Sequence, residues 1–181
     1  MPIRFGVMAR RRSLVTETAT GEWGEASAVF SRDRRHRYTL TRTWDPAGPV
    51  VNFLMLNPST ADAFALDPTN RRCVGFAQRW GFGALVTTNI FAFRSTDPKG
   101  LRGAPDPIGP DNDEVIIAAA RSADLLVIAW GNHGSLHARG TEVLERLDHN
   151  AVTPHHLGRT RRGHPSHPLY LAGDLVAVPF A

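Results

Sequence analysis

Asn57, in Leu56-Asn57-Pro58-Ser59, and His164, in Gly163-His164-Pro165-Ser166-His167-Pro168-Leu169, are the residues of this chain best placed for hydrogen-bond and proton chemistry. Each stands on a proline-stiffened turn beside an apolar segment, which fixes the backbone that aims the side chain. An asparagine can hold a water by its carbonyl oxygen, and an imidazole can donate to a developing negative charge. By itself the Asn57 motif also reads as an Asx turn that ends a strand.

Two further motifs lie between these. Asn89 closes the apolar run Ala84 to Phe91, and its carboxamide offers one acceptor and two donors, enough to read an amide edge. The same residue reads equally as a buried asparagine satisfied by backbone. Trp130-Gly131-Asn132-His133-Gly134 has glycines that let a backbone approach a ligand and a helix start that favours an anion. His133 and His137 would share a helix face as a metal pair, or be exposed imidazoles on a Gly-rich turn. His155, His156, His164 and His167 could ligate zinc, but no His-Glu-x-x-His pattern or spaced acid accompanies them, so no metal is expected. Asp67-Pro68 and Asp97-Pro98 are turn dipeptides, and Asp106 lies in a third polar loop. Asp62 is the best acidic candidate because it closely follows Asn57.

The elements that must carry these residues alternate. Apolar strands are expected over Val50 to Leu56, Ala84 to Phe91 and Leu125 to Trp130, the first interrupted by Asn52. Amphipathic helices are expected over Thr69 to Trp80, Asp111 to Arg121 and Leu136 to Leu147. A short strand falls within Asn150 to Leu157, and Pro168 to Leu171 opens the last segment. Near the start, Ala26 to Phe30 and Tyr38 to Trp44 form a β-hairpin across the charged turn Ser31 to Arg37. Residues 1 to 25 read as an irregular segment and 26 to 181 as one α/β domain. This is a three-layer α/β/α open sheet, mostly parallel, with its site at the carboxyl ends of the strands.

Composition bounds the class. The chain has 181 residues, enough for one core, with 42% hydrophobic and 21% charged residues. No apolar stretch is long enough for a membrane helix, and the Arg-rich start lacks the apolar stretch of a secretory signal, so a cytoplasmic protein is expected. Cys73 is the only cysteine, which excludes an internal disulfide and a cysteine-built metal cluster. The net charge of +4 rests on arginine, with Lys99 the sole lysine; it suits a polyanion and equally reflects a GC-rich coding bias.

In order and content the four motifs resemble the uracil-DNA glycosylase superfamily. The resemblance implies that Asn57 positions the attacking water, Asn89 reads the base, and His164 stabilises the charge leaving on the base, with no cofactor. Phe64 and Asp62 would complete the base pocket. Ser59, Gly131, Asn132, His133, Ser166, His167, Leu169, Arg94 and Arg139 would contact DNA, with Leu169 as the wedge and the arginines, Arg159, Arg161 and Arg162 among them, on phosphates. The implied function is excision of uracil or another deaminated base from single- or double-stranded DNA by a monomer. A hydrolase or transferase of free nucleotides and a non-catalytic nucleic-acid-binding module are the alternatives. His167 is an insertion in the second catalytic motif and shifts Leu169. A fuller resemblance, from Tyr38 to Leu171, is to an uncharacterised bacterial family with Met55-Leu56-Asn57-Pro58-Ser59-Thr60-Ala61-Asp62, Asp67-Pro68-Thr69, Asn89-Ile90-Phe91-Ala92 and Trp130-Gly131.

Overall fold

The apolar runs form the middle of one sheet, in a computed structural model that describes residues 14–21, 24–60 and 63–181. In chain order the elements are β1 (Val15–Gly21), β2 (Gly24–Phe30), β3 (Arg37–Thr43), β4 (Val50–Met55), α1 (Pro68–Arg79), β5 (Ala84–Asn89) and α2 (Gly100–Gly103). There follow α3 (Asn112–Ser122), β6 (Leu125–Ile128), α4 (Arg139–His149), β7 (His155–His156) and β8 (Val178–Pro179). The sheet order is β1-β2-β3-β5-β4-β6-β7-β8.

The protein is α/β, but the expectation of a mostly parallel sheet is corrected. β5, β4, β6 and β7 are parallel, whereas β1-β2, β2-β3, β3-β5 and β7-β8 pair antiparallel. The reason lies near the start of the chain. Val15–Gly21, expected to be irregular, is a strand that extends the hairpin to a three-strand meander. Alternating threonines and a half-exposed edge position suit it to a strand that reads weakly in hydropathy. Gly24 and Glu25, also expected to be irregular, begin β2, and residues 1–13, 22 and 23 lie outside the described residues.

Side-chain alternation on the central strands sorts the core into two layers. Val51, Phe53, Met55, Leu85, Val127 and Ala129 meet Cys73, Phe76 and Ala77 of α1 on one face. Leu54, Leu126, Ile128 and Trp130 meet Ile116 and Ala120 of α3 and Val143 and Leu147 of α4 on the other. Asn52, the polar interruption in β4, is fully buried and donates to the Val86 carbonyl and the Thr88 hydroxyl, both at 3.0 Å.

β2 and β3 carry a local irregularity that matters for the site. Val29 pairs with Thr39 but Phe30 pairs with Arg37, so β3 contains one extra residue at this point. A bulge of this kind turns the residues beyond it to the other face. Tyr38 packs toward α3 with Ala92 and Val115, while Arg37 comes round to the α1 side with Phe30 and Leu40.

The turn after β6 is packed on Trp130, which is 2% exposed. A Cβ on Gly134 would run into the indole Cδ1, and one on Gly140 would stand 3.0 Å from its Nε1. Gly134→Ala should therefore destabilise the fold by about 1–3 kcal/mol through overpacking. Urea unfolding against the parent chain measures this, and a change under 0.5 kcal/mol would remove the indole from the constraints on this turn.

Candidate functional site

At the carboxyl ends of β4, β5 and β6, on the face covered by α1, is a cavity of about 420 Å³. Its walls come from seven places in the sequence: Arg37, Met55 to Ser59, Asp67 to Cys73, Thr87 with Asn89, Pro98, Trp130 to His133, and Thr160 with His167. The volume falls in the range of small-ligand sites, roughly 300–1,000 Å³.

Asn57 is held by its amide nitrogen, which donates to the carbonyls of Ser95 at 2.8 Å and Pro58 at 3.1 Å. Two acceptors around one end of a carboxamide identify that end as the nitrogen. Its Oδ1 is left as the acceptor available to a ligand or a water. Asn89 closes β5, 4% exposed, and among the described residues its carboxamide has no hydrogen-bond partner. Its backbone is the opposite case. Asn112 Nδ2 donates to the carbonyls of Asn89 (2.9 Å) and Ile90 (3.1 Å), and Arg139 Nε donates to Ile90 (2.9 Å). The next amides, of Ile90 and Phe91, bond to Met55 and Leu56 and lock the tips of β5 and β4 together.

α1 begins at this cavity. Asp67 is its N-cap and Pro68 stands in the first turn; one carboxylate oxygen accepts from the Asn70 amide at 2.7 Å, the other from Asn70 Nδ2 at 3.0 Å. Asn70 Oδ1 in turn accepts from Thr87. The turn dipeptide Asp67-Pro68 thus initiates a helix and supplies the acid of the cavity. Cys73 lines the cavity too, but burial pushes its thiol far above the ordinary value, so it is no thiolate nucleophile at neutral pH.

Of the C-terminal imidazoles, the one that lines the cavity is His167, not His164; the exposed His133 lines it as well. His164 is absent from the walls; its amide donates to Thr160 Oγ1 and its carbonyl accepts from Thr160 in a tight turn. The inserted residue explains the exchange. The Gly131 amide bonds to the Pro165 carbonyl at 2.8 Å, which docks the C-terminal loop on the β6 turn and leaves His167 beside Gly131. His167 Nδ1 accepts from the Leu169 amide at 3.3 Å, which places the proton of the neutral ring on Nε2. Burial pushes its pKa below the ordinary value, with the Asp67 carboxylate pulling the other way.

Of the other expected residues, Ser59, Gly131, Asn132 and His133 line the cavity. Ser166 and Leu169 do not, though both belong to the loop that presents His167. Phe64 packs instead on Ala28, Phe30, Leu40 and Ala63, so Trp130 is the aromatic ring in the wall. Asp62 lies outside the described residues. Arg94 stacks on Phe30 and donates to the carbonyls of Arg34 and Thr60, away from the cavity. Arg139, expected on DNA, is fully buried and paired with Asp113 and Glu142, so it cannot reach a phosphate; it holds up the tip of β5. His133 and His137 are separated by a kink at Leu136 and do not share a helix face. Arg37, Asn70 and Thr87 were not signalled: Arg37 read as the end of a charged turn, and only the bulge brings it here.

Residues 37–169 match a family described as protein of unknown function (DUF1643). The chain belongs to that family. The expected membership of an uncharacterised family is thereby met, and the match brings no activity with it. No curated protein matches. Among solved structures, an S954A mutant of the feruloyl esterase module from Clostridium thermocellum, complexed with sinapinate, aligns at 11% identity and a TM-score of 0.29. That alignment covers 83% of this chain and 64% of the esterase chain, and the low score carries no argument. No helix among the described residues is long and apolar enough to cross a membrane.

The lowered His167 pKa has a sign that can be checked. The unfolded chain takes up this proton from about pH 6.5 downward while the folded chain resists it, so stability is lost as pH falls below 6.5 and is flat above. His167→Asn keeps an acceptor for the Leu169 amide and removes the titration. Melting curves from pH 8 to 5 should show the parent losing more stability on the acid side than the variant; parallel curves would contradict a half-buried, neutral His167.

Proposed function

We propose that the cavity receives a nucleobase and that the protein hydrolyses the N-glycosidic bond of uracil or another deaminated base in DNA, on a fold related to the uracil-DNA glycosylases. The observation that supports this best is the unpartnered Asn89 carboxamide in the wall, with the Asn57 acceptor and the His167 donor lining the same cavity. The Asn89 carboxamide opens on the cavity with no protein partner, and a ligand with a complementary amide edge can replace water there.

In this reading Asn89 pairs with the Watson–Crick edge of the base. Asn57 Oδ1 accepts a hydrogen bond from the water and aims the water oxygen at C1′ of the sugar. As the C1′–N bond breaks, its electron pair goes to the base, and His167 Nε2–H donates to the base oxygen where that charge collects. The water oxygen bonds to C1′, and its proton passes to solvent. The His167 tautomer serves this task, because a ring whose Nδ1 already accepts is a donor at Nε2 and not a base. A carboxamide at position 57 orients water without taking its proton, so turnover is slow. Arg161 and Arg162 are exposed beside Thr160 at the rim, where they can hold the phosphates of a strand, whereas Arg159 is engaged by Phe180 and the carbonyls of Gly163 and Ala181. Extrusion of the base costs a few kcal/mol, least from single strands and mismatches.

A second reading, a hydrolase or transferase of free nucleotides, is favoured by one observation: a buried cation, Arg37, inside the cavity.

Labelled single- and double-stranded oligonucleotides with uracil, hypoxanthine or xanthine, scored for abasic sites, test the first reading. Base release should fall by about 100- to 1,000-fold in His167→Asn, the scale of losing one donor to a developing anion. It should fall comparably in Asn89→Ala and stay within threefold of the parent in His164→Ala. No release from any oligonucleotide, with base release from deoxyuridine monophosphate, would select the second reading instead.

A further inference from the structure

Arg37 is the cavity's unexplained group. The residue is 5% exposed and lines the cavity, yet its side chain makes no hydrogen bond and no ion pair among the described residues. Asp67 is the acid of the cavity wall, and it does not approach within salt-bridge distance; each of its oxygens is bound to Asn70. Of the charges that act on Arg37, Arg94 and Arg42 oppose it and the Asp67 carboxylate favours it from beyond salt-bridge distance. Burial and Arg94 lower its pKa to about 10, so it remains a cation at neutral pH.

A buried guanidinium left unpaired is expensive, and folds normally match it with a carboxylate. Here the fold does the reverse. The bulge in β3 turns Arg37 away from the face of Tyr38 and into a cavity whose other polar groups are neutral or committed. The guanidinium is planar, permanently charged under physiological conditions, and shaped to grip two oxygens of one anion. Its missing partner is therefore a ligand.

We propose that Arg37 is an oxyanion subsite within the cavity and binds the phosphate of the nucleotide whose base Asn89 reads. The nucleotide part rests on the base-binding reading above; the oxyanion part does not. The phosphate could be the monoester of a free nucleotide or a diester of a strand, and the same chemistry serves both.

Calorimetric titration of the full chain at fixed ionic strength tests this, with deoxyuridine, deoxyuridine monophosphate, a trinucleotide with central uracil, and inorganic phosphate as probes. In the parent, the monophosphate or the trinucleotide should bind at least tenfold tighter than deoxyuridine, and inorganic phosphate should compete for that gain. A gain confined to the monophosphate identifies the monoester as the source; a gain with the trinucleotide identifies the diester. Arg37→Met should abolish the gain while leaving deoxyuridine affinity within twofold, and Arg37→Lys should keep part of it. Equal affinities with and without phosphate, or a gain that survives in Arg37→Met, would overturn the subsite. Should Arg37→Met fail to fold, the parent's competition by phosphate and the Arg37→Lys titration still decide. Arg37-dependent phosphate binding without deoxyuridine binding would sustain the subsite and remove the base reading; deoxyuridine binding with no phosphate gain would do the opposite.

Discussion

The site depends on β4 and β5 ending in step. Met55 pairs with Asn89 in parallel register, and the next amides of β5 continue onto the carbonyls of Met55 and Leu56. This pairing sets Asn57 and Asn89 on adjacent strand tips, and a slip of one residue would turn Asn89 to the other face of the sheet. Asn112 and Arg139 guard the register from below by occupying the carbonyls of Asn89 and Ile90. The buried cluster of Arg139 with Asp113 and Glu142 is thus remote from any ligand yet governs where one can sit.

The cavity combines two opposite treatments of polar groups. Those that shape the walls are satisfied: the Asn57 nitrogen, Asp67, Asn70 and the Asn89 backbone all have partners. Those that face the space are left open: the Asn57 oxygen, the Asn89 carboxamide, His167 Nε2 and the Arg37 guanidinium. Each of these four residues lines the cavity, where a ligand can supply the partner the fold does not. The base hypothesis uses three of them, and the phosphate subsite accounts for the fourth.

The central strands and three of the helices were legible in the sequence because their apolar periods are long and regular. Two layers around Val50–Met55, Ala84–Asn89 and Leu125–Ile128 followed from that alone. The directions were legible only in part: the β2–β3 hairpin and the parallel β5-β4-β6 centre were, the antiparallel joins β3–β5 and β7–β8 were not. Val15–Gly21 alternates threonine with small and acidic residues and buries little, so hydropathy gave no sign of it. Asn57 and Asn89 could be found because a polar side chain at the end of a buried run is conspicuous. Arg37 could not, since its orientation comes from a pairing shift between two strands and not from its neighbours in sequence. The exchange of His164 for His167 was half visible: the insertion could be counted, but only the Gly131–Pro165 bond decides which imidazole faces inward.

The walls of the cavity begin at Arg37 and finish at His167, so nearly the whole polypeptide must be present before they close. A chain emerging from the ribosome can pair its first strands while the last wall is still inside the exit tunnel, but α1 is covered only when Leu171 and Leu175 follow. During synthesis the molecule therefore passes through a stage with a sheet and a core but no competent pocket, and competence arrives only when the final loop docks on the turn after β6.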